Sequence, residues 1–468
     1  MILISIPFVL LILPISLLLY WLLFRTPNLK LWFLCVLSLA FYAMADPRFL
    51  PLLIGLSLAT YWLALRGQPS IGIFLNLFAL LLFKVIGFGV RSSLIPLLNA
   101  NTPLGNIFAG ALPLGISFYV FKHLGYLLDV RAKRYPATPD LLGFLTFSAF
   151  FPQITSGPVS SFDNTGRQLR NLPRQLGSEQ ARSGLLYISM GLAKKLLIAD
   201  VLARTLDSTL YTDPMSGHGW IWAWLSLSIY AMQIYFDFSG YTDLVIGIGT
   251  LFGLTLPPNF NNPYLASSPS QFWQRWHMSL SGWFRVYLFI PISRSFLKSQ
   301  WMKNQDLAQF ISNLMTMVLI GLWHGIGWGF ILWGAYHGIL LSAVASIKRR
   351  WPSLSLPTPI ATGLMFMAVL LGWALFLSPN LGFMRELFIN LAGLNGSGHL
   401  SDLSKLYDPT ALITLVVAFS MVISGLAETA SLPQVAQRPI MALLFGLLFV
   451  VALLQLGTQP INFVYVQF

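Results

Sequence analysis

Hydrophobic residues in this chain are gathered into long, nearly continuous runs separated by short polar connectors. Most runs are long enough for a helix to cross a bilayer, and they lack the alternation of barrel strands. Backbone groups inside hydrocarbon must bond to one another, so the runs predict an all-α, polytopic membrane protein with roughly eleven to thirteen transmembrane helices. The runs occupy residues 2–24, 29–45, 49–65, 71–90, 111–130, 184–203, 220–236, 308–322, 325–347, 360–378, 410–427 and 440–456.

Two further apolar segments are interrupted and predict a different kind of helix. Residues 140–158 contain Pro152 and a Gly-Pro pair, and residues 272–296 contain Arg, His and Pro side chains. Irregular backbone at membrane depth is tolerated only where it lines a cavity or is covered by protein, so both segments are predicted to be re-entrant or interfacial. One membrane domain over residues 1–468 is the simplest organisation, with its core motifs in the region of about 111–347.

Composition and charge agree with a bilayer as the solvent. Only 9% of the residues are charged, and the mean hydropathy is +0.71, whereas soluble domains carry about 25% charged residues. The net charge of +13 could indicate nucleic acid, but the basic residues lie mostly in connectors, where they act as topology signals, and no nucleic-acid partner is predicted. Basic residues that follow odd-numbered runs, and so place the N-terminus outside the cytoplasm, are Arg25, Lys30, Arg66, Arg131, Lys133 and Arg134.

Two carboxylates lie where an ionised group is costly. Asp237 and Asp243 flank the segment DFSGYTD between apolar residues, and Ser239 and Gly240 would let a helix break there. The structural interpretation is that both carboxylates cap broken helix ends or pair with arginines, because buried charges are normally paired. The functional interpretation makes them the scaffold of a polar tunnel.

A segment from Pro258 to Ile292 mixes turn formers with a helix rich in tryptophan and arginine. It contains the loop residues Asn261 and Asn262, the tryptophans Trp273, Trp276 and Trp283, and the polar residues Arg275, His277 and Arg285. Tryptophans are common at membrane interfaces, so an aromatic belt is one interpretation. The polar content favours the competing interpretation, a surface that faces substrate.

The strongest single candidate for chemistry is His324, which lies beside Trp323 in GLWHGIGWGFILWGAYHG. A neutral imidazole can accept the proton of an alcohol as its oxygen attacks a thioester or ester carbonyl. A hydrogen-bonded packing histidine is the alternative. The other histidines, His123, His218, His337 and His399, are predicted to be structural. The sequence contains no P-loop, HExxH pair or GxSxG elbow, and the single Cys35 excludes CxxC metal chemistry, so no metal is predicted.

His277 in RWHMSLS and His324 in GLWHG, 47 positions apart, resemble the membrane-bound O-acyltransferase family. The resemblance is closest to the bacterial alginate O-acetylase branch, and it covers nearly the whole chain. Its further motifs are LPLGISFYVF at 112–121, FPQITSGPV at 151–159, YFDFSGYTDLVIGIG at 235–249, NFNNPY at 259–264 and the closing INFVYVQF.

This resemblance implies a helical ring around a thinned central tunnel, with His324 catalytic and His277 a second site residue. It implies acetyl-CoA as a cytoplasmic donor substrate, no bound cofactor, and an acceptor that approaches from the periplasm. A periplasmic acetyltransferase partner and a polysaccharide synthase complex are implied as well. The residues predicted to line the substrate path are Asn261, Asn262, Trp273, Arg275, Trp276, Arg285, Trp323, Asp237 and Asp243.

The chain departs from this branch at two places, one beside Arg285 and one in the segment 291–301. Val286 stands where this branch commonly has an aspartate after the arginine, and PISRSFLKSQW at 291–301 replaces a loop rich in glycine and asparagine. The function expected is O-acetylation of an exopolysaccharide of the alginate or cellulose type, in the bacterial inner membrane. Teichoic acid, lipid or protein acceptors are the alternative within the enzyme class, and a transporter or flippase is the alternative outside it.

Overall fold

A computed structural model of the chain describes residues 2–92, 112–207, 219–298, 304–397, 409–429 and 439–455. Every regular element in these ranges is a helix, which confirms the predicted all-α class. The chain forms two compact units, Met1–Ile188 with Leu244–Pro257, and Ser189–Asp243 with Pro258–Phe468. The single membrane domain and the ring around a tunnel stay predictions.

The α-helices are numbered in chain order. They are α1 Leu13–Leu22, α2 Pro27–Ala45, α3 Leu50–Leu65, α4 Pro69–Ser92, α5 Ile116–Arg131, α6 Leu141–Ala149, α7 Phe162–Arg170, α8 Ser178–Ala193, α9 Asp200–Asp207, α10 Trp220–Leu251, α11 Pro269–Arg275, α12 Met278–Phe284, α13 Ile290–Lys298, α14 Gln305–His324, α15 Trp328–Arg350, α16 Thr358–Leu377, α17 Leu381–Leu391, α18 Pro409–Ser424 and α19 Pro439–Gln455. Short 3₁₀ helices are Ile2–Ile4, Pro47–Phe49 and Pro263–Leu265, and π-helices are Phe8–Ile12, Lys194–Ala199 and Arg285–Phe289.

Six helices in the described part of the chain are long and apolar enough to cross a membrane, which agrees with a multi-pass membrane protein. They are Pro27–Ala45, Pro47–Leu65, Pro69–Gly87, Gln305–His324, Trp328–Arg350 and Thr358–Leu377, and shorter apolar helices are Phe8–Leu22, Pro409–Ser424 and Gly446–Gln455. Residues 272–296 form the short pieces α11 to α13 with a π-helix between them, as their interrupted pattern predicts. The total of eleven to thirteen spans stays a prediction.

The first unit satisfies its buried polar groups between its own helices. The ring of His123 on α5 lies 3.0 Å from Asn76 Oδ1 on α4 and 3.0 Å from Ser148 Oγ on α6. Lys30 on α2 is fully buried and donates to the carbonyl oxygens of Pro173 and Arg174 at 2.7 and 3.1 Å. Lys30 and the arginine-rich connector before α8 therefore lie at the same end of this unit.

In the second unit, α14 and α15 form an antiparallel hairpin whose backbones approach closely at glycines. A Cβ at Gly321 would clash with the carbonyl oxygen of Phe330, and one at Gly334 would clash with that of Met317. Membrane helices associate through such small residues, because lipid offers no hydrophobic drive between them. The glycines of GLWHGIGWGFILWGAYHG thus bring these two helices together.

Substitution at this glycine contact is expected to destabilise the protein. Gly334→Ala should lower the free energy of unfolding by about 1–3 kcal/mol, because the added methyl group meets rigid backbone. Gly363→Ala on α16 is the matched control, since a Cβ there meets no atom within 4 Å. Thermal unfolding of the detergent-purified variants would test the difference, and equal melting temperatures would contradict it.

The predicted helix break at DFSGYTD is wrong. Helix α10 continues without interruption from Trp220 to Leu251, through both aspartates and Gly240. Gly240 serves close packing instead, because a Cβ there would lie 2.8 Å from the carbonyl oxygen of Gly191. The carboxylates keep their helical backbone because charged partners on a neighbouring segment satisfy them, as described below.

Candidate functional site

His324 occupies the tip of the hairpin formed by α14 and α15. It is the last residue of α14, and only 4% of its surface is exposed. At the opposite end of the hairpin Arg349 pairs with Asp306. A rise of 1.5 Å per residue over the eighteen residues between positions 306 and 324 separates the two ends by roughly 27 Å. The histidine therefore lies about one membrane thickness away from the basic end of its own helix pair.

Aromatic rings surround the His324 imidazole. The ring centroids of Trp323, Phe376 and Trp333 lie 4.6, 5.1 and 5.3 Å from that of the histidine. The Trp333 and Phe376 rings stand close to perpendicular to it, at 90° and 82°. Such walls exclude water and hold the imidazole in a fixed plane, which suits proton transfer to a single position.

His277 is held in the loop that joins α11 and α12. Its backbone has the left-handed conformation, with φ of 44° and ψ of 52°, which is uncommon for a residue other than glycine. The main chain is fixed there by a hydrogen bond from the Met278 N–H to the carbonyl oxygen of Asn259, at 2.8 Å. Strained backbone of this kind clusters at functional sites.

Asn259 also fixes the imidazole of His277. Its Oδ1 lies 3.1 Å from His277 Nδ1 and accepts from Ser279 Oγ and the Ser279 N–H at 2.6 and 3.2 Å. An acceptor at that position makes Nδ1 the protonated nitrogen, so Nε2 carries the lone pair. His277 lies outside the six candidate spans, and its burial lowers the pKa of its imidazolium to about 3, so the ring is neutral at pH 7.

Three aromatic residues connect the surroundings of the two histidines. Trp276, next to His277 in sequence, has its ring centroid 4.9 Å from that of Trp373. Trp373 lies 5.6 Å from Phe376, which contacts His324. We call Trp276, Trp373 and Phe376 the aromatic wall. Of the predicted site residues, the structure thus brings Trp276, Trp323, His277 and His324 to one region.

A cavity of about 480 Å³ lies between the tryptophan-rich helices and the hairpin. Its walls include Trp273 and Arg285, both predicted from the sequence to face substrate. On α14 the lining residues Gln309, Asn313, Thr316, Met317 and Ile320 recur every three or four positions, so they form one stripe along that helix. Gln309 accepts a hydrogen bond from Arg349, and Ile320 is one turn before His324. The cavity therefore follows α14 from its basic end towards the histidine.

Other predicted site residues support the loop and helices. The Asn261 N–H donates to the carbonyl oxygen of Arg275 at 3.0 Å, and the Asn262 N–H donates to Glu428. Arg275 itself donates to the carbonyl oxygen of Leu265 at 3.4 Å. Arg285 is exposed at the cavity, and none of the ion pairs seen in the described ranges involves it.

Asp237 and Asp243 are paired with two consecutive lysines. Lys195 Nζ lies 2.7 Å from Asp237 and 2.7 Å from Asp200, and Lys194 Nζ lies 2.6 Å from Asp243. Thr429 donates to the same Asp243 oxygen at 2.5 Å. The partners are lysines in a π-helix rather than arginines, and the arrangement fits the structural interpretation of these carboxylates.

Sequence reasoning missed three residues that the structure places near the candidates. Asn259 was seen only as part of a loop, and Trp333 and His337 on α15 were not singled out for chemistry. His337 contacts Trp333 and Trp273, with ring centroids at 5.2 and 5.1 Å. Spacing along α15 gives a usable signal, because positions 333 and 337 are one turn apart and face the same side. His218 and His399 lie outside the described residues.

No group of three or more His, Cys, Asp and Glu within the described ranges is placed to hold a metal ion. The same unit holds two buried histidines, a cavity and an aromatic surround. These groups can take part in proton transfer and acyl transfer.

Comparisons with known proteins agree with the resemblance seen in the sequence. The family model for MBOAT, the membrane-bound O-acyltransferase family, matches residues 48–383. A probable alginate O-acetylase of Pseudomonas syringae pv. tomato is 34% identical over 427 residues, covering 88% of this chain and 79% of that protein. A peptidoglycan O-acetyltransferase of Helicobacter pylori is 32% identical, over 80% of this chain and 76% of that protein. A teichoic acid D-alanyltransferase of Streptococcus thermophilus is 30% identical, over 52% of this chain and 58% of that protein.

Proposed function

Because this chain belongs to the membrane-bound O-acyltransferase family, we propose that it moves an acetyl group from cytoplasmic acetyl-CoA to a periplasmic hydroxyl group. The chain is a multi-pass membrane protein and an O-acyltransferase. The proposal concerns the identity of the donor, the identity of the acceptor, and the side of the membrane from which each one binds. The bacterial inner membrane is the compartment in which a cytoplasmic thioester and a periplasmic acceptor face the same protein.

The course of the cavity along α14 carries this proposal. One end lies beside Gln309, which Arg349 contacts, and the other end comes within a turn of His324. The positive-inside rule assigns the basic end to the cytoplasm. An anionic donor that enters there is attracted by Arg349 and Arg285 and directs its acyl group towards the histidine. His324, roughly 27 Å from that end, is then within reach of an acceptor from the opposite side.

The same rule supports a periplasmic N-terminus. Lys30 bonds to the backbone at Pro173 and Arg174, which brings two basic connectors to one end of the first unit. Lys30 follows the first run and Arg174 lies between the fifth and sixth runs, so both connectors follow odd-numbered runs and fall on the cytoplasmic side by this rule. The first run would then begin on the periplasmic side.

His324 acts as the general base in this proposal. Its imidazole takes the proton of the acceptor hydroxyl as that oxygen attacks the acyl carbon. The new C–O bond forms, the C–S bond of the thioester breaks, and the proton passes to the departing sulfur as a free thiol. His277, held by Asn259 with its lone pair on Nε2, accepts a hydrogen bond from a polar group of donor or acceptor.

An exopolysaccharide is the acceptor class that the relatives favour. Two relatives that cover 88% and 89% of this chain are probable alginate O-acetylases, and the Helicobacter relative is named for peptidoglycan. Both are polysaccharides outside the cytoplasmic membrane. We propose that a periplasmic acetyltransferase receives the acetyl group and that a polysaccharide synthase supplies the chain, of alginate or cellulose type. Teichoic acid stands as the second candidate, on the likeness to the D-alanyltransferase.

Release of thiol separates an enzyme from a transporter. The purified full-length chain in lipid vesicles, given acetyl-CoA outside and the periplasmic acetyltransferase with a polysaccharide inside, should release free CoA thiol in step with acetylation of these acceptors. A colorimetric thiol assay and a mass measurement of the acceptor would follow the two products. Movement of an intact substrate without thiol release would contradict the proposal.

Replacing Asn259 with aspartate is expected to change the pH dependence of transfer. A carboxylate beside His277 Nδ1 favours the imidazolium, so the pKa of His277 should rise by about 1–3 units from its lowered value. The ring would then become protonated at a higher pH, and the acidic limb of the rate profile should move upward by a similar amount.

Steady-state rates between pH 4 and pH 8 would test this shift, because the wild-type acidic limb lies below that range and the limb of the variant should enter it. Ser279→Ala is the control, because it removes another hydrogen bond to Asn259 Oδ1 without adding charge. An acidic limb that stays in place in the Asn259→Asp variant would show that the neutral form of His277 is not required.

A further inference from the structure

Three residues whose rings contact one another each carry a buried polar atom without a hydrogen-bond partner in the described ranges. Trp273 Nε1, Trp333 Nε1 and His337 Nδ1 have no hydrogen bond to any residue in the described ranges. Their rings contact one another, with centroids 5.6 Å apart for the two tryptophans and 5.1 and 5.2 Å from each to His337. Trp333 and His337 are 1% and 2% exposed. We call these three residues the indole site.

Two other indoles of the second unit, by contrast, have hydrogen-bond partners within the protein. Trp373, in the adjoining aromatic wall, donates its indole N–H to Tyr264 Oη at 3.1 Å, and Trp224 donates to the carbonyl oxygen of Leu391 at 3.1 Å. Buried polar groups are normally bonded, and leaving one unsatisfied costs free energy. Three orphaned groups on adjacent rings therefore indicate an oxygen-bearing ligand group that completes them.

The indole site also has access and a reactive neighbour. Trp273 lines the cavity that follows α14, and the Trp333 ring lies 5.3 Å from that of His324. Trp273 thus joins the indole site to the cavity, and Trp333 joins it to the surroundings of His324. The His337 ring is held in place by Phe272, stacked at 6.2 Å and 7°, and by Gly372, which leaves room for Nε2.

We propose that the indole N–H groups of Trp273 and Trp333 bind the acyl carbonyl oxygen of the donor and the oxyanion that develops from it. Both indoles are donors only, which suits an oxygen that gains negative charge. His337 adds a third donor when its proton is on Nδ1. As the acceptor oxygen bonds to the acyl carbon, the π electron pair of the C=O bond moves onto the carbonyl oxygen that the two indoles bind. It returns when the C–S bond breaks, and His324 passes the hydroxyl proton to the thiolate.

This inference rests on the proposed acyl transfer, and kinetics of the purified protein in vesicles would test it. Trp273→Phe and Trp333→Phe keep the aromatic ring and remove the N–H. Each should lower kcat for acetyl-CoA on the order of a hundredfold, as loss of one oxyanion donor does, with KM within about threefold. Trp224→Phe is the matched control, since it removes an indole hydrogen bond that the protein itself satisfies. It should keep kcat.

Infrared spectroscopy gives a readout that a packing role would not move. Acetyl-CoA labelled with ¹³C at the carbonyl, bound to the inactive His324→Ala protein, should show its stretch lowered by hydrogen bonding. Adding Trp273→Phe or Trp333→Phe should return the band towards its value in solution. The indole site alone would be overturned if both single tryptophan variants kept the wild-type kcat and if adding either substitution to the His324→Ala protein left the carbonyl band where it was. Absence of thiol release and of acceptor acetylation by the wild-type protein would overturn the proposed function itself, on which the indole site rests.

Discussion

Replacing His324 with alanine should reduce acyl transfer by about a hundredfold to ten-thousandfold, while the protein still inserts and folds. The imidazole lies at the tip of the hairpin between Trp323, Trp333 and Phe376, and alanine removes the proton acceptor from that position. The aromatic rings and the glycine contacts of α14 and α15 remain. The rate of thiol release by the variant in vesicles, at saturating acetyl-CoA, measures the effect.

His324→Gln provides a sharper comparison than alanine alone. Glutamine keeps a polar side chain of similar reach but cannot accept and return a proton at neutral pH. It should therefore be as inactive as alanine, whereas a residue that only hydrogen-bonds its surroundings would be partly replaced by it. The melting temperatures of both variants should stay within a few degrees of wild type. Retained transfer in either variant would reject the assignment of His324 as the base.

The helices were predictable from the sequence because the bilayer imposes a simple rule. Runs of apolar residues coincide with α2, α4, α14 and α16 to within a few residues, since hydrocarbon leaves the backbone no alternative to internal hydrogen bonds. The error at DFSGYTD has a physical cause as well. Two aspartates and a glycine suggest a break when viewed alone, but Lys194 and Lys195 satisfy the carboxylates from another segment of the chain. A pairing across 42 to 49 positions leaves no local signal.

The candidate site was predictable only where a single residue has an unusual sequence context. His324 stands out as an ionisable group in an apolar run, and its resemblance to a family motif adds to that signal. Asn259 could not be identified in this way, because its role depends on the left-handed turn at His277 that brings its side chain to Nδ1. The same holds for His337, whose missing partner becomes visible only once the surrounding rings are placed.

Breaking the buried ion pair beside α10 should cost more stability than breaking a surface ion pair. Lys194 and Asp243 have side chains 2% and 10% exposed, and their contact is 2.6 Å. Lys194→Met removes one partner and leaves a carboxylate buried without its cation. Such a change typically costs about 3–5 kcal/mol, because the orphaned charge cannot be solvated. Unfolding of the purified protein, measured in a series of denaturing detergent mixtures, would give the difference from wild type.

Two comparisons separate the cost of an orphaned charge from the value of the pair. Lys194→Met combined with Asp243→Leu removes both charges, and it should recover most of the stability lost by the single variant, since apolar groups of similar volume often replace a buried pair without loss. Arg167→Ala breaks the exposed pair with Asp163 on α7 and should change the free energy of unfolding by about 0.5 kcal/mol or less.

The double variant also decides what the lysines are for. If the charges serve only to satisfy one another, the double variant should fold and retain transfer, because no cavity-lining residue is among them. The charges would then serve to fix the register of α10 against the π-helix Lys194–Ala199. Two consecutive lysines of that π-helix pair with two aspartates six positions apart on α10. A double variant that is stable but inactive would contradict this and return Asp243 to the substrate path that its position in the sequence first suggested.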